Sequence, residues 1–147
     1  VATDGGLRQL FRKHIPEAHM QAIESWSTGQ GVPDMNLCLE GSEVWIENKQ
    51  TSAWALAHPL TPEQVGWIER RARAGGRVFI AVRRQCAAGI RRGPAVDELY
   101  IFRPDCARAL AATNSIKDIP PSLGPFGGGP SRWDWVAIKT LFAERRD

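Results

Sequence analysis

The chain has 147 residues, 43% of them hydrophobic and 24% charged, with a formal net charge of +3. That length supports one domain with a real core, and the composition excludes pervasive disorder. No apolar run reaches the roughly 18 residues of a bilayer crossing and no secretory signal leads the chain, so it reads as soluble, cytoplasmic and without a membrane partner.

Leu7, Leu10 and Phe11 recur at helical spacing among Arg8, Arg12 and Lys13, which predicts an amphipathic helix from Leu7 to His14. Pro16 interrupts it, and a further turn or two of helix is expected as far as Ile23. The Ser, Thr and Gly content from Ser25 to Pro33 marks a loop. Met35 to Leu39 and Glu43 to Lys49 read as two strands joined by a hairpin turn at Glu40, Gly41 and Ser42. In the second strand Val44, Ile46 and Asn48 point one way and Trp45, Glu47 and Lys49 the other, because side chains alternate along a strand.

After a connecting segment, Thr61 is a natural N-cap, Pro62 fits the first helical position, and Gln64 completes a capping box. Val65, Ile68 and Ala72 form the apolar stripe of that helix, and Gly75-Gly76 ends it. Arg77 to Arg83 is a strand apolar on both faces, as a central strand covered on both sides should be. Val96 to Phe102 is another, and Cys106 to Ala112 a short helix. From Pro120 to Pro130 four prolines and four glycines in eleven residues predict a loop. Trp133 to Phe142 reads as a final helix, at about residues 133–143. The order of helices and strands gives an α/β or α+β class, with residues 1–147 as a single unit.

Cys38, Cys86 and Cys106 are an odd, widely spaced set with no CxxC pair, which argues against a disulfide framework and a thiolate zinc site. Charge is distributed more tellingly. From Arg70 to Val96 there is no carboxylate, while arginines crowd the stretch, among them Arg83, Arg84, Arg91 and Arg92. Such a field suits a polyanion such as DNA, and it equally suits a solubilising surface. Trp26, in a polar loop, is the tryptophan best placed to contact substrate, whereas Trp45 and Trp67 read as core residues; Trp54 also lies near the same segments.

If the two strands form a hairpin, Asp34 at the start of one lies beside Glu47 and Lys49 at the end of the other. Two carboxylates and a lysine on one sheet edge are costly to gather unless a cation compensates them. Hard oxygen ligands suit Mg²⁺ or Mn²⁺, and the backbone carbonyl of Asn48 is a further oxygen donor between them. By spacing alone, a turn aspartate and a solvated Glu-x-Lys pair explain the same residues.

Gly31-Val32-Pro33-Asp34, followed after a strand and a Gly turn by Trp45-Ile46-Glu47-Asn48-Lys49, resembles the PD-(D/E)xK nuclease superfamily. More narrowly it is similar to the VRR-NUC and Holliday-junction-resolvase-like members, including small endonuclease-like proteins of bacteriophages. Leu60-Thr61-Pro62-Glu63-Gln64 with Trp67, and Gly75-Gly76-Arg77-Val78, extend the resemblance over about Leu7 to Arg84. The resemblance implies a restriction-endonuclease-like αβββαβ core around a mixed sheet and Mg²⁺- or Mn²⁺-dependent hydrolysis of DNA phosphodiesters. It also implies metal ligation by Asp34 and Glu47, catalysis by Lys49 and an auxiliary role for Gln64. That last role competes with the capping box for one side chain, and the active-site role is the favoured one. Family members carry a further acid near the start of the first helix, for which Asp4, Glu17 and Glu24 are the candidates, leaving one or two metal ions open. Branched DNA and a homodimer are expected partners. The rival expectations are an inactive nucleic-acid-binding module with the same fold, and a phage structural or assembly protein.

Overall fold

Strand β4 (Arg77–Cys86) carries apolar side chains on both faces, and each face is covered by helices. In the computed structural model, which describes residues 4–24, 30–89 and 93–145, it is preceded by α1 (Leu7–His14), β1 (His19–Ala22), β2 (Met35–Leu39), β3 (Ser42–Thr51) and α2 (Pro62–Arg73). After it come β5 (Val96–Phe102), α3 (Ala107–Ala112), β6 (Leu123–Phe126) and α4 (Trp135–Ala143). The strands form one six-stranded sheet in the order β1-β2-β3-β4-β5-β6. The β3–β4 pair is parallel and the others antiparallel. A parallel neighbour demands a crossover, and α2 supplies it. The class is therefore mixed α/β in the α+β sense, and the first six elements run αβββαβ.

Val78, Ile80 and Val82 pack with Leu60, Val65, Ile68 and Leu110 on the α2/α3 side. Phe79 and Ala81 meet Leu7, Phe11, Ile138 and Phe142 on the α1/α4 side. The period-two alternation of one strand thus feeds two cores. The β2–β3 turn is tight: Leu39 pairs with Ser42, and Glu40 and Gly41 take φ values of 50° and 80°. Positive φ at both central residues matches the right-handed twist of a hairpin, and glycine adopts it without a Cβ penalty.

Four expectations are corrected. The segment before Ile23 is not helical: His19–Ala22 is an edge strand paired antiparallel to Met35–Cys38. Four half-exposed residues are too few to show a period. The Pro/Gly tract contains β6, where Phe126 pairs with Leu99 and Leu123 with Ile101. Pro125 is tolerated there because an edge strand needs only one row of its N–H groups. The last helix begins at Trp135, since the Asp134 carboxylate accepts the Ala137 N–H at 3.0 Å as an N-cap. Trp133 falls outside it and is buried, its Nε1 donating to Asp97 O at 3.3 Å. The helix expected from Cys106 starts as a 3₁₀ turn at Pro104–Cys106.

Among the described residues no helix is long and apolar enough to cross a membrane. Arg77, one of the basic stretch, is occupied internally: its guanidinium donates to Ser42 Oγ, Phe142 O and Leu141 O, joining β3 to the C-terminus of α4.

Candidate active site

Asp34 lies immediately before β2, and the register that sets Met35 opposite Ile46 brings it level with Glu47. Two restraints fix the approach. The Ile23 N–H donates to Asp34 O at 2.9 Å, tying the segment to the end of β1. Gly31, with φ 88°, lies so close to the first turn of α2 that a Cβ would stand 2.2 Å from Glu63 O. Only glycine permits that contact.

The side chains then converge. Asp34 Oδ1 accepts the Asn48 backbone N–H at 2.8 Å, and Asp34 Oδ2 accepts Asn48 Nδ2 at 3.3 Å. Lys49 Nζ stands 3.8 Å from Glu47 Oε2 and donates to Gln64 Oε1 at 3.1 Å. Strand alternation places Trp45, Glu47 and Lys49 on the α2 face, as the sequence suggests, and Trp45 packs against Trp67 at 5.2 Å with the Arg71 guanidinium over both rings. Asp34, Glu47 and Gln64 line a cleft of about 390 Å³ with Gly31, Thr61 and Glu63.

Gln64 does not have to choose between its two expected roles. Its Oε1 accepts the Thr61 N–H at 3.0 Å while its own N–H donates to Thr61 Oγ1 at 3.1 Å, completing the capping box. The same oxygen accepts Lys49 Nζ, because a carbonyl oxygen has two lone pairs. The expected competition is thereby corrected: one acceptor starts the helix and holds the amine.

The two carboxylates are electrostatically uncomfortable. Glu47 is buried, and burial followed by the negative charge of Asp34 pushes its carboxyl up to about 8, against the opposing pull of Lys49. Burial likewise raises Asp34, with the Asn48 hydrogen bonds and Arg8 acting the other way. The donor set is hard oxygen and carries excess negative charge when both acids ionise, which fits Mg²⁺ or Mn²⁺. Among the described residues no group of three or more His, Cys, Asp and Glu side chains is arranged to hold a metal. Protein donors to such an ion would be Asp34, Glu47 and the Asn48 carbonyl, with water and phosphate completing the shell. Among the described residues Asn48 Oδ1 is buried without a hydrogen-bond partner.

Of the three candidates for a first-helix acid, Asp4 is buried and committed. Its carboxylate accepts from Gly6 N at 3.0 Å, Arg8 N at 3.3 Å and Arg8 Nε at 2.9 Å, so it caps α1. Glu17 pairs with Lys139 of α4 at 3.0 Å and stands away from the cleft. Glu24 lies near enough to Arg8 to bear on its charge. Arg8 itself, which the sequence reading leaves as a helix-face residue, has its Nε 3.8 Å from Asp34 Oδ2. The four-residue spacing from Asp4 to Arg8 reveals the local pair. Nothing local reveals Asp34.

The expected phosphate readers are also redistributed. Arg83 makes a two-pronged pair with Asp97 at 2.9 and 2.7 Å and donates to Gly5 O at 2.7 Å. Arg84 Nε donates to Glu98 Oε1 at 2.8 Å. The carboxylate-free stretch ends at Val96, and the antiparallel return of β5 lays Asp97 and Glu98 back beside it. Consecutive strand residues also point to opposite faces, so Arg83 and Arg84 do not grip one phosphate backbone together. Trp26, Arg91 and Arg92 lie outside the described residues.

No protein-family model matches the chain, and no curated protein is detectably similar to it. What these residues can do follows from their own geometry.

Proposed function

We propose that the chain is a Mg²⁺- or Mn²⁺-dependent endonuclease that hydrolyses DNA phosphodiester bonds, with branched DNA as the candidate substrate. The observation that carries the reading is that Asp34, Glu47 and Gln64 line one cleft, with Lys49 Nζ 3.8 Å from Glu47 Oε2 and held by Gln64. A divalent ion bound there supplies charge neutralisation at phosphorus and lowers the pKa of a coordinated water. Asp34 and Glu47 would hold the ion, and the Asn48 carbonyl would be a third oxygen donor. Lys49 presents its ammonium to the charge that builds on the phosphoryl oxygens, and Gln64 keeps that ammonium from swinging away. Asn48 N–H and Nδ2 fix the Asp34 carboxylate. A symmetric substrate would suit a homodimer, which sedimentation of the purified chain tests.

A second reading is a nucleic-acid-binding module of the same fold without catalysis. It is favoured by the commitment of Asp4 to capping and by the two-carboxylate donor set. The separating experiment incubates the purified chain with labelled branched, duplex and single-stranded DNAs in Mg²⁺, Mn²⁺ or EDTA. Metal-dependent cleavage supports the nuclease. Binding without cleavage in either metal transfers the reading to the module.

A further inference from the structure

We propose that Trp54, with Arg84 and Lys117 against its ring, forms a binding subsite for an unpaired nucleotide beside the cleft. The inference rests on the nuclease reading for the identity of the polymer. Glu47, Lys49 and Thr51 share one face of β3, and Thr51 stands in register with Arg84 on the parallel neighbour β4. Side chains in register project to the same side, so Arg84 extends the row that begins at the carboxylates. The Thr51–Leu60 connection leaves β3 from this point and returns to Thr61 at the cleft.

The loop is built to hold Trp54 in place. The buried Thr51 hydroxyl lies 2.5 Å from Ala55 O and accepts the Ala53 N–H at 3.1 Å. On the other side the Ile116 N–H donates to Trp54 O at 2.9 Å. Despite these restraints Trp54 is 37% exposed, whereas Trp45 and Trp67 pack on each other and Trp133 is buried. The ring is covered chiefly by cations, which leaves it an aromatic surface at the protein boundary. Arg84 Cζ lies 3.8 Å from the ring centroid and Lys117 Nζ 5.3 Å.

The two cations differ in freedom. Arg84 is anchored by Glu98 and stays with the ring as its support. Lys117 is exposed on a flexible stem, so it can follow a phosphate while a base takes its place over the indole. A flat aromatic surface with an exposed lysine over it can recognise a base and its phosphate without reading sequence. A stacked base must be out of a duplex, so the subsite selects single-stranded or flapped DNA.

The test uses the full chain in EDTA, with fluorescently labelled oligothymidylate, an abasic backbone of equal length and a duplex of equal length. Wild type should bind oligothymidylate about tenfold more tightly than the abasic strand, within the range of one stacked base. Trp54→Ala should bring the two to equal affinity, and Trp54→Phe should restore most of the preference. Lys117→Ala should keep the preference and lower the slope of log affinity against log salt by about 0.7, the release expected for one single-strand contact. Equal binding of thymidylate and abasic strands by wild type overturns the subsite, as does an unchanged preference in Trp54→Ala. Should Trp54→Ala fail to fold, Trp54→Leu, which fills much of the same space without a flat ring, takes its place and should likewise bind the two strands equally. A chain that discriminates bases through Trp54 but cuts nothing in Mg²⁺ or Mn²⁺ keeps the subsite and loses the nuclease reading. One that cuts, with Trp54→Ala unchanged in base preference, does the reverse.

Discussion

Lys49 Nζ on β3 donates to Gln64 Oε1 in the first turn of α2 at 3.1 Å, and that oxygen also accepts the Thr61 N–H that starts the helix. The start of α2 and the position of the site's amine are therefore one structural event. Gln64→Ala should lower stability by about 1 kcal/mol through the lost cap, or roughly 2 to 4 °C in Tm for a chain of this size. It should also lower cleavage more than Thr61→Ala, which weakens the cap but leaves Lys49 its acceptor. Thermal unfolding and single-turnover rates of the two variants separate the contributions; equal rate losses would mean that the hydrogen bond to Lys49 has no part in the reaction.

Glu47 gives stability a pH dependence of known sign. In EDTA the folded chain keeps the Glu47 proton up to about pH 8, whereas the unfolded chain loses it near the ordinary value of 4.5. Between those limits the folded state binds more protons, so this residue makes stability fall as pH rises, and the loss levels off above about pH 8. Glu47→Gln should flatten that decline. Urea midpoints of parent and variant across the window measure it, and parallel curves would contradict the burial argument.

Lys49 and Asp34 are expected to fail differently. Lys49→Ala keeps both carboxylates, so it should retain Mn²⁺ and DNA binding while cleavage falls by about a hundred- to a thousandfold. Asp34→Ala removes one of two carboxylate donors and should lose Mn²⁺ binding as well. Calorimetric Mn²⁺ titration beside single-turnover cleavage checks the contrast. If parent and Lys49→Ala cut equally slowly and neither binds metal, the nuclease reading gives way to the binding module.

Arg83 is expected to matter for folding and not for DNA. Its removal leaves Asp97 without the two-pronged partner and Gly5 O without a donor, at a cost of about 1 to 3 kcal/mol. Arg83→Ala should therefore shift the urea midpoint while the salt slope of DNA binding stays the same. A slope reduced by about 0.7 to 0.9 would return this arginine to the phosphate interface.

Gly31 supplies a backbone test. Gly31→Ala adds a Cβ 2.2 Å from Glu63 O at a φ of 88°, so the loop must move away from α2 and carry Asp34 with it. The variant should be less stable and should bind Mn²⁺ more weakly than the parent. Unchanged Mn²⁺ affinity would show that Asp34 is held by Asn48 and Ile23 without help from the loop.

Short-range physics was legible in the sequence. The capping box at Thr61 and Gln64, a Gly turn between the two strands and the alternation that puts Glu47 and Lys49 on one face each depend on residues at most a few positions apart; the turn is one residue shorter than expected, since Ser42 already pairs with Leu39. That Asp34 lies near the end of β3 was legible too, since a hairpin sets the start of one strand beside the end of the other; the exact register was not. Edge strands β1 and β6 were not, because four residues carry too little periodicity and their strand state depends on a neighbour. The fates of Arg83 and Arg84 were decided only by tertiary structure: their carboxylates lie fourteen positions away and reach them through the register of β5. Arg8 meets Asp34 for the same kind of reason. A charge run in sequence records what the chain carries, while the free charge at its surface depends on which strands fold back beside it.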